Sequence, residues 1–293
     1  MYVRPRMTTM NEPQLRYVTC PGPRGLHRMA YWEWGADNGG TPVICAHGLT
    51  RNGRDFDALA DRLASRFRVV CPDMIGRGRS DRVADPKMYM VPQYVSDCVT
   101  LIARLDTDKV HWIGTSMGGL MGMSMAALPG NAIASLVLND IGPAIDPGGL
   151  ARIAGYVGQD PRFGSFEEGE KALRELMVDF GPHTDEQFRL LSRHFIVNRG
   201  DHWGYHYDPA IAVPFRSAGP APDLWPLYEA IKAPVLLLRG ARSDVLAEDV
   251  ASAMQARGPR ARRIDFEGVG HAPTLITSDQ IEPVERFLQE QSR

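Results

Sequence analysis

Residues 110–122 read Val-His-Trp-Ile-Gly-Thr-Ser-Met-Gly-Gly-Leu-Met-Gly. A β-branched and aromatic run (110–113) leads into Gly114-Thr115-Ser116-Met117-Gly118, and an apolar, small-residue run follows that predicts a helix over 117–128. A G-x-S-x-G between a strand and a helix places its Ser at the tip of a sharp, strained turn. The positions two before and two after that Ser pass close to other backbone, which is where a Cβ does not fit. The N-terminal N–H groups of the following helix point at the same spot, where they favour developing negative charge. Ser116 is therefore a candidate nucleophile.

Outward from this turn, the pattern is one of alternation. Strands are predicted at 15–19 and 27–34, an antiparallel pair around the Pro/Gly run 21–25, and then at 42–46, 67–71, 110–113 and 133–139. Helices are predicted between them at 55–66, 91–105 and 117–128. Such alternation argues for an α/β fold with a mostly parallel, doubly wound sheet carrying helices on both faces. It stops at Gly142-Pro143. Residues 149–157, 167–180 and 185–195 carry helical patterns without strong strands, and a Pro/Gly/Ala-rich linker (217–222) closes the segment. Alternation resumes with 235–239, 247–257, 262–266 and 281–291. The expected organisation is a core of residues 1–142 and 224–293, with a loose tail at 1–14, interrupted by a helical cap at 143–223.

A Ser nucleophile needs a base in hydrogen-bond reach and a third group to orient that base. His271 fits the base, in the turn Gly268-Val269-Gly270-His271-Ala272-Pro273 after the last strand. Asp244, just beyond the apolar strand 234–238, is the expected acid; Asp140, at the end of strand 133–139, is the alternative. Asp140 precedes Gly142-Pro143 and reads as structuring the entry to the cap. Acyl transfer also needs two N–H donors for an oxyanion. Met117, directly after the Ser, supplies one, and Leu49 of His47-Gly48-Leu49 the other. His47 reads as a hydrogen-bonder that fixes its loop.

Together these residues resemble the α/β-hydrolase superfamily in its cap-bearing branch. The resemblance rests on His47-Gly48-Leu49, Asp73-Met74-Ile75-Gly76-Arg77-Gly78-Arg79-Ser80, the Ser116 turn, Asp244 and Gly270-His271, in the family's order. The Asp73–Ser80 stretch is similar to the family's loop after its fourth strand, a packing element. The resemblance implies a serine hydrolase of small to medium carboxylic esters, acting through a Ser-His-Asp triad and an acyl-enzyme without cofactor. Epoxide hydrolases and haloalkane dehalogenases of this fold use an Asp nucleophile, where this chain has Ser116. Carbon–carbon bond hydrolases usually carry a more Gly-rich loop than Leu49-Thr50-Arg51-Asn52. Carboxylesterase, lactonase and short polyester-oligomer hydrolase activities fit best. A carbon–carbon hydrolase or thioesterase on the same triad, and a ligand-binding sensor with negligible turnover, are the alternatives.

Composition narrows the partners. Lys and Arg number 33 against 35 Asp and Glu, with no basic tract for nucleic acid. No apolar run is long enough for a membrane span. Cys20, Cys45, Cys71 and Cys98 form no C-x-x-C and read as small core residues, and a cytoplasmic location is expected. In the cap, Trp203, Tyr205, His206 and Tyr207 are expected to shape the substrate pocket. His202 and His206 stand four apart, but Gly204 between them argues against a helical metal pair, and no metal is expected.

Overall fold

The computed structural model describes residues 12–217, 219 and 221–292. Most of the expected tail (1–11), and positions 218 and 220 of the expected linker, lie outside the described residues. Gln14, placed in the tail by sequence, opens the first strand instead.

The strands are β1 (Gln14–Gly22), β2 (Gly25–Trp34), β3 (Val43–Ala46), β4 (Val69–Pro72), β5 (Val110–Thr115) and β6 (Ile133–Asn139), with helices α1 (Asp57–Leu63), α2 (Val91–Arg104) and α3 (Met117–Ala126) between them. After an intervening segment come β9 (Val235–Gly240), α9 (Glu248–Ala256), β10 (Arg262–Phe266) and α10 (Ser278–Gln291). These strands form one sheet in the order β1-β2-β4-β3-β5-β6-β9-β10. β1 and β2 pair antiparallel, as does β2 with β4, and the rest run parallel. The order reverses between β3 and β5, because the chain moves outward to β4 and then returns to continue on the other side. In open α/β sheets that reversal opens a crevice at the carboxyl ends of the two strands.

The central strands are apolar on both faces because both faces are covered. Alternate residues enter opposite cores. Ile44 and Trp112 pack with α2 and α3, whereas Val43, Cys45 and Ile113 pack with α1 and α10. The four cysteines are buried and unpaired.

Helix α3 lies hard against β3 and β5. A Cβ on Gly118 would collide with the Ala46 carbonyl, and one on Gly122 with the Trp112 indole. Trp112 Nε1–H donates to Gly118 O at 2.9 Å across this contact. Gly118→Ala is therefore expected to destabilise the fold by about 3 kcal/mol, read as a lower urea midpoint at unchanged slope.

Between β6 and β9 lie α4 (Pro147–Tyr156), α5 (Phe166–Leu176), α6 (Asp185–Ser192), β7 (Ile196–Asn198), β8 (Trp203–Tyr205), α7 (Ala212–Ser217) and α8 (Trp225–Ala230). Besides its helices the segment holds one short hairpin that the helical patterns do not announce. β7 and β8 pair antiparallel, with Ile196 opposite Tyr205, and Phe163 bridges to Trp203. Phe195, just before β7, packs its ring at a tilt on Tyr205 of β8, centroids 4.8 Å apart, and this burial overrides the short length of the strands. Buried polar ties hold the segment to the core. Arg51 pairs with Asp55 at 2.6 and 2.7 Å, donates to Leu191 O at 2.8 Å and lies over the Phe195 ring. Among the described residues no helix is long and apolar enough to cross a membrane.

Candidate active site

Ser116 sits between β5 and α3 with φ 52° and ψ −113°. A non-Gly residue in this region carries of order ~1–3 kcal/mol of backbone strain, and it is held there by close packing. A Cβ on Gly114 would strike the backbone of Gly118 and Gly119, and Ser116 N–H donates to Asn139 O at 3.0 Å. The strained turn lifts the hydroxyl clear of the sheet. Ser116 Oγ lies 2.9 Å from His271 Nε2, and His271 Nδ1 lies 2.8 Å from Asp140 Oδ2. With Nδ1–H donating to the carboxylate, Nε2 keeps its lone pair for the Ser116 O–H. His271 and Asp140 are buried.

The structure corrects the expected acid. Asp244 is exposed and makes a two-pronged pair with Arg152 of α4 at 2.5 and 2.8 Å, a contact that holds its carboxyl below the usual range. Asp140 takes the place facing His271. It follows β6, the strand paired to β5, so its carboxylate starts one strand from the Ser, whereas Asp244 follows β9, two strands away. The Asp140 carboxylate also accepts from Gly240 N–H at 2.8 Å and Ser243 Oγ–H at 2.6 Å. Ser243, which belongs to no recognisable motif, fixes the Asp140 carboxylate, while its neighbour Asp244 points to the surface.

The loop after β3 brings Gly48 against the Ser, where a Cβ would stand 3.8 Å from Ser116 Cβ. His47 Nδ1–H donates to Gly48 O at 2.7 Å, and Met74 N–H donates to Nε2 at 3.0 Å. With both ring nitrogens used, burial pushes the imidazole down to about 3, so His47 is a neutral strut for this loop. Leu49 and Met117 both border the cavity that opens onto Ser116. Met117 begins α3, and the first N–H groups of a helix have no partner within it. Asp73 knots the neighbouring loop, accepting from Gly53 N–H, Arg79 N–H and Trp32 Nε1–H; burial raises its carboxyl to about 6.

The cavity holds about 630 Å³ and is walled mostly by aliphatic side chains, including Leu120, Ile141, Ile145, Ile153, Ile211 and Val245. The expected pocket residues Trp203, Tyr205, His206 and Tyr207 do not line it. They are turned into the packing of the β7–β8 hairpin, and Tyr207 O–H donates to Gln159 O at 2.9 Å. The wall comes instead from α4, α7 and residues 87–91, whose scattered apolar positions give no local signal of a site. His206 is a tie between segment and core: Gly78 N–H donates to Nδ1 at 2.8 Å, and Nε2–H donates to Thr50 O at 3.0 Å.

Burial holds the His206 imidazole well below its ordinary 6.5. The unfolded chain therefore takes up a proton there as pH falls through 6.5 while the folded chain does not, and stability present above that pH is lost below it. His206→Gln keeps one donor and one acceptor but removes this uptake. Its stability is expected to fall less steeply than wild type below pH 6.5, by up to about 1.4 kcal/mol per pH unit, measured by urea unfolding at pH 7 and pH 5.

His202 is bonded to Asp201 at 2.6 Å, apart from His206. One group of metal-ligand types, Cys20, His27 and Asp97, lies buried with its atoms within 4.8 Å of one another. There His27 Nε2 bonds one Asp97 oxygen at 3.0 Å and Gln93 the other at 2.8 Å.

Residues 43–288 match the sequence profile of the alpha/beta hydrolase family. The chain is 48% identical over 286 residues to a 3-hydroxybutyrate-oligomer hydrolase of Cupriavidus necator, across 94% of this chain and 98% of that one. The crystal structure of an alpha/beta hydrolase from Novosphingobium aromaticivorans superposes with a TM-score of 0.87 at 40% identity, covering 96% of this chain and 99% of that one. An enol-lactonase from Burkholderia xenovorans shares the fold, with a TM-score of 0.70 at 20% identity over 94% and 99% of the two chains.

Proposed function

Because the chain belongs to the alpha/beta hydrolase family, we propose that it is a serine ester hydrolase whose substrates are short linear oligomers of small hydroxy acids, 3-hydroxybutyrate oligomers among them. The observation that carries this reading is the line Ser116–His271–Asp140, bonded at 2.9 and 2.8 Å, opening on an aliphatic cavity of about 630 Å³. Pockets of this size enclose drug-sized ligands. Branched aliphatic walls suit a chain that carries a methyl branch and no charge along its length. The similarity to the Cupriavidus necator enzyme over nearly the whole of both chains supports the substrate class.

The chemistry follows from the geometry. The ester carbonyl oxygen lies at the N–H groups of Leu49 and Met117. His271 Nε2 takes the Ser116 proton as Oγ bonds to the carbonyl carbon, and the oxyanion that forms is met by the two N–H groups. Asp140 holds the Nδ1–H tautomer and stabilises the imidazolium. The carbon–oxygen bond then breaks, and the leaving alcohol oxygen takes the proton from Nε2. Water enters, gives its proton to Nε2, and attacks the acyl-Ser116, which releases the acid and restores the Ser hydroxyl. In this reading residues 143–223 act as a cap that dries the site, so that these electrostatic interactions act at low dielectric.

The test is release of monomer from the linear dimer and trimer of 3-hydroxybutyrate, followed by chromatography beside p-nitrophenyl butyrate. Cleavage of both oligomers is expected. Turnover of p-nitrophenyl butyrate with none of the oligomers would sink the substrate class and leave an esterase of other acyl groups. Turnover confined to lactones would replace the reading.

A further inference from the structure

The cavity is mostly apolar, and its charge is confined to one place. Among the described residues that line it, Lys87 alone carries a charge, and none is Asp or Glu. Lys87 is exposed, on a single 3-10 turn, Pro86–Met88, beside the lining residues Tyr89 and Met90. Asp85, the adjacent acid, accepts the Lys87 backbone N–H at 3.1 Å and is paired with Arg24. Among the described residues no carboxylate pairs with the Lys87 ammonium. Met90 and Val213 leave exposed apolar surface at the same cavity.

A second cation stands behind the wall. Arg77 is buried. Its Nε–H donates to Leu49 O at 2.9 Å, its Nη1 to Ile75 O and Tyr94 Oη at 2.8 and 2.7 Å, and its Nη2 approaches Met117 Sδ at 3.9 Å. Leu49, Tyr94 and Met117 all line the cavity. No carboxylate lies within ion-pair distance of Arg77 among the described residues. Asp208, the acid behind Tyr89, accepts from Tyr89 O–H at 2.7 Å and Ala210 N–H at 2.9 Å. A buried cation without a counter-charge, next to a low-dielectric space, raises the potential within it. The site thus presents an aliphatic channel whose net charge is positive and whose accessible cation is at one point.

We propose that Lys87 anchors the free carboxylate of a linear substrate at this cavity while the ester stands at Ser116, with Arg77 supplying a supporting positive potential. The enzyme then selects acid-terminated chains over neutral esters of the same length. This deepens the oligomer reading above and rests on it for the identity of the chain. A hydroxy-acid oligomer has one carboxylate at its end and neutral esters along its length, the distribution that one cation on an apolar cavity fits.

The experiment compares kcat/KM for the 3-hydroxybutyrate trimer and its methyl ester in wild type, Lys87→Arg and Lys87→Met. Wild type is expected to prefer the free acid by about tenfold, with the preference falling as salt rises. Lys87→Arg keeps the preference, and Lys87→Met loses it through a raised KM for the acid. Using the acid-to-ester ratio removes any general loss of activity in a variant. In parallel, octanoate and octanamide are tested as inhibitors of p-nitrophenyl butyrate hydrolysis. Octanoate should bind more tightly than the amide in wild type and not in Lys87→Met. If the oligomers are not cleaved, the substrate reading fails while the inhibitor pair still reports on the anchor. Equal acid-to-neutral ratios in wild type and Lys87→Met, for trimer and inhibitor alike, overturn the proposal.

Discussion

Asp140→Asn is expected to lower kcat by about four decades, with little change in KM or in the circular dichroism spectrum. The reason lies in the hydrogen bonds. Gly240 N–H and Ser243 Oγ–H both donate to this carboxylate, and His271 Nδ1 stands 2.8 Å from the oxygen that Ser243 also contacts. In the Asn variant the side-chain oxygen goes to Gly240 N–H, a donor that cannot turn away. The NH2 then faces Nδ1 and Ser243 Oγ. Ser243 Oγ already accepts from Val245 and Leu246 N–H and has no acceptor to spare for the amide, and the imidazole can accept only by moving its proton to Nε2, where it no longer takes the proton of Ser116. Asp244→Asn removes only an exposed pair with Arg152, worth about 0–1 kcal/mol of stability, and its activity is expected to stay within about threefold of wild type. Steady-state kinetics of the two variants side by side decide the matter. A dead Asp244→Asn beside an active Asp140→Asn would reverse the assignment of the acid.

Ser116→Ala is expected to lower kcat by about five to six decades and to leave the fold intact. The position has φ 52°, and Ala and Ser meet the same steric penalty there, so the substitution adds no strain of its own. It removes the oxygen that bonds to the substrate and nothing else in the site. The loop donors and the cavity would remain, so substrate binding should persist while turnover stops. Rapid mixing with p-nitrophenyl butyrate should give wild type a burst equal to the enzyme concentration if deacylation limits, and mass spectrometry should find the acyl group on the peptide that holds Ser116. A variant that keeps more than about a hundredth of wild-type kcat would show that some other group attacks the ester.

The parts of this site that were legible in the sequence are those set by local backbone chemistry. The turn at Ser116 announces itself because only glycine fits at positions 114 and 118, where any Cβ meets the backbone of α3 or the Ala46 carbonyl. His271 is flagged by its place directly after Gly270 in the turn that follows the last strand, and Gly48 by its place after β3. The four central strands at 43–46, 69–72, 110–115 and 133–139 were readable because burial on both faces demands uninterrupted apolar runs. Asp140 and Asp244 each follow a strand, and nothing local ranks them. The ranking comes from the order of strands in the sheet, which sets Asp140 beside the nucleophile strand, and from Arg152, a residue 92 positions from Asp244 that draws it to the surface.

The aromatic run at 203–207 failed as a pocket for a related reason. Its residues were expected to shape the pocket; Tyr205, His206 and Tyr207 are buried, but a buried ring can face a cavity or a neighbour, and local sequence does not distinguish the two. The hairpin β7–β8 turned these rings onto Phe163, Phe166 and Phe195, and His206 spent both nitrogens on core backbone. The sequence by itself determined the α/β architecture, the strained Ser turn, the His271 turn and the loop after β3, since each follows from steric limits or burial periods within a few residues. Only the tertiary structure decided which carboxylate faces His271, which side chains wall the cavity, and that its one lining charge is Lys87. Those outcomes depend on distances between segments far apart in the chain, which are set by strand order and by long-range pairing.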